Sequence, residues 1–302
     1  MIKTFIKIKN KLIKLFYLRS PINIFAGHKI YGNDSGFVAN FVGNLIIKQK
    51  RKFQNYTAVT IDSTIESKVF ELKDNGYTFP ELQIKTEIVK KINDEFNSHT
   101  KKLKMPADGR LEASSINDVG FYQKFESVKS IFNSEMLQII QNYYNAGFKV
   151  LNTHIYRTVN VLKDDNFEPY GSTEFWHNDG STVDSLKIFV LLNDTDENNG
   201  PMHIINKNET IGTIKNGFSK YKEGVSNGII EKKCNIIKFV GKAGKVLIVN
   251  TNLCLHRGDI PKPNLSRDML VFYLSISNTP FRGIIDKESI KEQFYGFKRL
   301  LN

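Results

Sequence analysis

Apolar positions along this chain change their spacing part-way through it. Between residues 60 and 149 they recur at helical intervals. Ile84, Ile88, Ile92 and Phe96 are spaced by four and form one stripe, with Glu87, Lys90, Lys91 and Asp94 on the other faces. Residues 131–144 repeat the pattern, opened by Ser134-Glu135 and closed before Gly147. Such helices are expected to buttress a sheet. From about 150 to 280 the texture changes to short runs rich in β-branched and aromatic residues, at 150–161, 186–192, 202–205, 235–240, 245–250 and 270–276. Turn signals separate them: Asn198-Asn199-Gly200-Pro201, the stretch 241–244, and Pro261 to Pro263. Many short strands after a helical region predict an α+β fold built on a sandwich or jelly roll, and not a βαβ array. Residues 286–301 have the spacing of one last amphipathic helix.

Charge alters this picture at one end only. The chain has 302 residues and a net charge of +12, yet residues 1–52 hold eleven Lys and Arg against the single acid Asp34. That segment carries +10, which leaves +2 for the remaining 250 residues. Within it, Ile2, Phe5, Ile6, Ile13 and Phe16 fall at roughly helical spacing between lysines, and the apolar stretch 37–47 runs straight into Lys48, Lys50, Arg51 and Lys52. A basic amphipathic arm of this kind suits peripheral contact with an anionic membrane, where each nearby cation contributes ~1 kcal/mol. Two other readings stand beside it: surface helices packed on the body with solvated lysines, and nucleic-acid contact. The last is not expected, because the arm lacks interleaved aromatics and lysine outnumbers arginine.

No run in the chain's first twenty residues approaches the ~20 apolar residues of a membrane span. Lys7, Lys9, Lys11 and Lys14 also break any signal-peptide core. Apolar residues make up 40% of the chain and charged residues 25%, enough for a full core without disulfides. The two cysteines, Cys234 and Cys254, form no disulfide framework. A cytoplasmic protein is expected, peripheral on the inner face of the membrane if the arm binds there.

The chemistry concentrates in Phe175-Trp176-His177-Asn178-Asp179-Gly180. A His and an Asp two apart on a strand point the same way, so both can reach one metal ion. His256, in Leu255-His256-Arg257-Gly258 just beyond the apolar run 246–250, is the best third ligand. Two imidazoles and one carboxylate on one face of an octahedron leave three positions open, the facial triad of non-haem Fe(II) oxygenases. A keto-acid cosubstrate then needs a cation for its distal carboxylate. Arg267, eleven residues past His256 and just before a strand, offers a planar fork for two parallel charge-assisted hydrogen bonds.

Residues 70–278 resemble the phytanoyl-CoA dioxygenase family, which also holds ectoine hydroxylases and many natural-product hydroxylases. The match runs from Leu72-Lys-Asp-Asn-Gly-Tyr-Thr-Phe-Pro80 through Trp176-His-Asn-Asp179 and Leu191-Leu-Asn-Asp-Thr-Asp-Glu-Asn-Asn-Gly-Pro201 to Gly244-Lys-Val-Leu-Ile-Val-Asn250, His256 and Arg267. The resemblance implies a double-stranded β-helix (jelly-roll) core with Fe(II) on His177, Asp179 and His256, and with 2-oxoglutarate on Arg267. It implies a dioxygenase that converts 2-oxoglutarate and O2 to succinate and CO2 while hydroxylating a small molecule or glycan. Asp179 favours hydroxylation, because similar halogenases carry a small residue there. The lipopolysaccharide sugar 3-deoxy-D-manno-octulosonic acid is one substrate of the membrane-surface kind that the arm suggests.

Domains follow: arm 1–52, helical buttress 53–149, jelly-roll core 150–280 and closing helix 281–302, with 53–302 one catalytic unit. Two positions depart from the family pattern: Asn206-Lys207-Asn208 replaces a Gly-Ser-His, and Gly258 stands where a hydroxyl residue is usual.

Other features invite plainer readings. His203 reads as a packed strand residue, Cys254 as a small buried hydrophobe, and Arg157 and Tyr170 as structural before substrate-binding. Trp176 either lines the pocket or packs. His28, His99 and His154 carry no role. A catalytically silent jelly-roll module that binds a membrane or sugar remains the alternative from another class, and a zinc hydrolase on the same three ligands would give Arg267 no purpose.

Overall fold

The structure is a computed structural model that describes residues 62–106, 109–116, 118, 120–160, 175–179, 185–215, 228, 230–277 and 280–284. The basic arm 1–52, Tyr170 and the tail helix expected at 286–301 lie outside the described residues.

Helices come first and are capped by the residues their sequence offers. Helix α1 (Ser63–Asn75) begins where the Asp62 carboxylate accepts the Ile65 N–H at 2.9 Å, and it ends at Gly76 with φ +83°. Helix α2 (Thr86–Thr100) buries Val89, Ile92 and Phe96. The apolar stripe is thus shifted from the expected one: Ile84 precedes the helix, with its N–H on Gly244 O at 2.9 Å, and Ile88 is only partly buried. A short helix α3 (Phe121–Lys124) and a 3-10 turn (Glu126–Ser130) lead to α4 (Ser134–Tyr144), capped by Asn133. Helix α4 ends in left-handed Asn145.

Strands form two antiparallel sheets. The larger has the order β1-β7-β4-β9-β3-β2 and the smaller β6-β5-β8. Their ranges are β1 (Tyr77–Thr78), β2 (Arg110–Ser114), β3 (Gly147–Val159), β4 (Leu186–Leu191), β5 (Met202–Ile204), β6 (Ile237–Phe239), β7 (Val246–Val249), β8 (His256–Gly258) and β9 (Ser266–Ser277). The arrangement is mixed α/β with antiparallel sheets, consistent with a jelly-roll-like fold. Strands β1 and β2 lie within the segment read as helical and extend the large sheet at both edges.

The large sheet is covered on both faces, which is why β4 reads as a nearly continuous apolar run. Leu186, Ile188 and Val190 pack with Ile92, Phe96 and the other helical residues, whereas Phe189 and Leu191 face the small sheet with Met202, Ile204 and Phe239. Burying each such side chain stabilises by ~1.5–3 kcal/mol. A third cluster joins Trp176, Ile205, Ile230 and Leu255. Trp176, 1% exposed, is therefore a packing residue.

Beyond β1 and β2, two elements of the second half were not anticipated. Helix α5 (Lys207–Lys215) has weak amphipathicity and starts where Asn206 Oδ1 accepts the Glu209 N–H at 2.8 Å. The Asn206-Lys207-Asn208 departure thus supplies a helix cap. Strand β8 is three residues long and contains two polar side chains, so no apolar pattern marks it.

Candidate metal centre

The sequence brings His177 and His256 together through backbone pairing before any side chain is considered. Each donates its N–H to the other's carbonyl, at 3.0 and 2.9 Å, and Asp179 N–H reaches Thr251 O at 3.3 Å. The two imidazole centres are 4.3 Å apart. The ligand-type atoms of His177, Asp179 and His256 all lie within 4.8 Å of one another, the expected set in one place.

Both imidazoles are oriented from behind. His177 Nδ1 lies 2.7 Å from Phe175 O, and His256 Nδ1 lies 3.1 Å from Cys254 O. A carbonyl only accepts, so Nδ1 carries the proton in each ring and the Nε2 lone pair is left for a metal. His256 Nε2 is 3.8 Å from Asp179 Oδ1. Burial first, then His177 beside it, pushes the His256 imidazole well below its ordinary pKa, so the ring is neutral as a ligand must be. Burial alone would raise the Asp179 carboxyl. The neighbouring His256 and the Lys187 ammonium outweigh it and hold the group below the usual carboxylate range. Two imidazoles beside an ionised carboxylate are a donor set for a divalent transition metal.

Arg267 lies in β9, opposite Thr158 of β3, and is 5% exposed. By strand alternation it shares the inner face with Met269 and Val271. Its Nη1 donates to Asp259 O at 3.0 Å, its Nε has no hydrogen-bond partner, and among the described residues no carboxylate lies within ion-pair distance. A guanidinium placed this way could receive a carboxylate.

Other expected residues fall where the plainer readings put them. Arg157 forks onto Asp268, with contacts of 2.9 and 2.6 Å, and reaches Asn97 at 3.1 Å. It is tied into the structure. Cys254 is fully buried, which pushes its thiol far up. His203 is buried beside Trp176, with ring centres 6.4 Å apart. Gly258 ends β8.

The sequence reading missed Lys187, Arg110, Glu112 and His154. Lys187 Nζ sits 2.7 Å from Asp179 Oδ2. On β2 and β3, Glu112 bonds His154, and Arg110 stacks 4.0 Å over Tyr156. The signals were a lone lysine in an apolar strand and a short strict alternation across 110–114.

No protein-family model matches the chain, and no curated protein matches it in sequence. Solved structures do match. EctD from S. alaskensis with 2-oxoglutarate and 5-hydroxyectoine aligns at TM-score 0.53 and 12% identity, over 76% of this chain and 89% of that one. The same protein with bound Fe aligns at 0.52 and 13%, over 74% and 80%. The non-heme alpha ketoglutarate dependent epimerase SnoN from nogalamycin biosynthesis aligns at 0.51 and 10%, over 71% and 83%. The fold is shared with these proteins. At such identities the likeness extends to fold alone, and the chemistry has to be argued from the side chains above.

Proposed function

We propose that this chain is an Fe(II)- and 2-oxoglutarate-dependent dioxygenase with a jelly-roll core. It hydroxylates an unactivated C–H bond of a small molecule, glycan or glycolipid, and 2-oxoglutarate becomes succinate and CO2. The observation that carries this is the convergence of His177, Asp179 and His256 within 4.8 Å, on a fold that iron- and 2-oxoglutarate-binding proteins share. The partnerless Nε of buried Arg267 supports it.

In this reading His177 and His256 hold iron through Nε2 and Asp179 holds it through its carboxylate. Bound iron supplies the oxidising power for C–H cleavage once the keto acid and O2 are present. The chain does the rest. The carbonyls of Phe175 and Cys254 fix both imidazole rings, so no ring has to turn when the ion arrives. Arg267 receives the distal carboxylate of 2-oxoglutarate and sets which end of the molecule faces the metal. Phe189, Leu247, Met269 and Val271 keep water out of the space between the sheets.

The basic arm extends the proposal to a membrane. Its +10 charge supports peripheral contact with an anionic surface, which would deliver a lipid-linked or surface-bound substrate to the site. Among the described residues no helix is long and apolar enough to cross a membrane. The test of the reaction class is succinate release that requires both iron and 2-oxoglutarate, assayed across a metabolite and glycolipid panel. No release from folded, iron-loaded protein with any member of the panel would sink it.

A further inference from the structure

Lys187 occupies a position where a lysine is costly. It lies in β4, whose other residues Leu186, Ile188, Phe189, Val190 and Leu191 are all apolar and buried, and it is itself only 7% exposed. By alternation its side chain leaves the sheet on the inner face, with Phe189 and Leu191. There its ammonium lies 2.7 Å from Asp179 Oδ2 and 4.4 Å from the ring centre of Tyr273, its cross-strand neighbour on β9. Among the described residues Asp179 is the one carboxylate within ion-pair distance of it. An ammonium removed from water persists only beside an anion. The other oxygen of the same carboxylate faces the histidines, with Oδ1 3.8 Å from His256 Nε2.

We infer that Lys187 is a positioning residue: it holds Asp179 by Oδ2 and leaves Oδ1 as the single oxygen offered to the metal. This rests on the proposed iron and 2-oxoglutarate reading of the site. The consequence lies in counting ligand positions. On a six-coordinate ion, two imidazole nitrogens and one carboxylate oxygen would leave three positions for the keto acid and O2. A carboxylate free to turn can place both oxygens on the ion and take one of those three. Lys187, paired by charge with Oδ2 at 2.7 Å, opposes that turn. Its own positive charge opposes a second cation nearby, so it is poorly suited to raising metal affinity and well suited to orienting the carboxylate.

The test uses the full chain with Lys187→Met, which keeps length and removes charge, and Lys187→Arg, which restores charge. Folding is checked by circular dichroism and thermal melting, Co(II) uptake by visible absorption, and 2-oxoglutarate binding to the Co(II) form without oxygen. Lys187→Met is expected to retain Co(II) binding with a changed Co(II) spectrum and to bind 2-oxoglutarate roughly 10- to 100-fold more weakly, the scale of other outer-shell changes. Lys187→Arg is expected to recover most of that loss. An unchanged spectrum together with unchanged 2-oxoglutarate binding in a folded Lys187→Met protein overturns the inference while leaving the function standing. A wild-type protein that takes up neither Co(II) nor 2-oxoglutarate overturns both. Should Lys187→Met not fold, a structure of the metal-loaded wild type decides: Oδ1 alone on the ion supports the inference, and both oxygens on the ion refute it.

Discussion

His177 and His256 form a reciprocal backbone pair, each N–H bonded to the other's carbonyl at 3.0 and 2.9 Å, across an isolated antiparallel bridge. The two imidazoles are thereby set side by side by main-chain bonds that do not depend on either ring. Replacing one ring should therefore cost the metal and spare the fold.

His177→Ala or His256→Ala should lower metal affinity by at least about 100-fold, beyond the range typical of outer-shell changes. Metal-free stability should move by no more than about 1 kcal/mol, because the backbone bonds persist. Asp179→Ala should behave differently. It leaves the buried Lys187 ammonium without its carboxylate and should destabilise the metal-free protein by on the order of 3 kcal/mol. Metal titration and urea unfolding of the three variants measure both effects.

Arg267→Ala should leave metal binding intact and weaken 2-oxoglutarate by about 100-fold, the ~3 kcal/mol of a two-pronged charge-assisted contact. Arg267→Lys should recover only part, since a point charge does not reproduce the fork. Calorimetric titration of the metal-loaded, oxygen-free proteins with 2-oxoglutarate measures this. Equal loss of metal binding in Arg267→Ala would mean that the guanidinium supports the fold and not the cosubstrate.

How much of this was legible beforehand depended on how many residues carried each signal. Strands β3, β4, β7 and β9 were readable because their β-branched runs are several residues long, and β4 and β7 are buried throughout. The metal set was readable because alternation alone puts His177 and Asp179 on one side of an extended chain, and Arg267 follows His256 at a distance that one returning strand spans. Strand β8 was not, since His256-Arg257-Gly258 has no apolar alternation and is defined by its pairing with β5 on one side and His177 on the other. Lys187 was passed over for a related reason: a lone lysine in an apolar strand is a weak signal until Asp179, from another segment, is found against it. Glu112 and His154 likewise gain meaning only when β2 pairs with β3 and brings them together.

His203 should make stability depend on pH. Burial first, then the nearby Arg257 charge, pushes its imidazole down to about 4 from an ordinary value of 6.5. With the folded value depressed, the unfolded chain takes up the proton first as pH falls. The stabilisation is therefore full above about 6.5 and is lost between there and about 4. His203→Gln should lose stability less steeply across that window than the wild type, as read from urea midpoints in the metal-free proteins. His256 shifts in the same direction, so the slope should shrink and not vanish. Identical slopes in the two proteins would remove His203 as its source.

Residues 1–52 carry +10, and a surface of that charge should hold the protein on vesicles rich in anionic lipid at low salt and release it as salt rises. Flotation with the full chain and with residues 53–302 measures this. Full-length protein that ignores anionic vesicles would leave the membrane proposal without support.

The central claim, one Fe(II) on His177, Asp179 and His256 with 2-oxoglutarate chelated beside it, is tested most directly by titration without oxygen. The account predicts one equivalent of Fe(II) per chain, and a weak visible absorption band when 2-oxoglutarate is added to the iron-loaded protein. That band should be missing in His256→Ala. A folded wild-type protein that binds no Fe(II), or that gives the same band after His256→Ala, would contradict it.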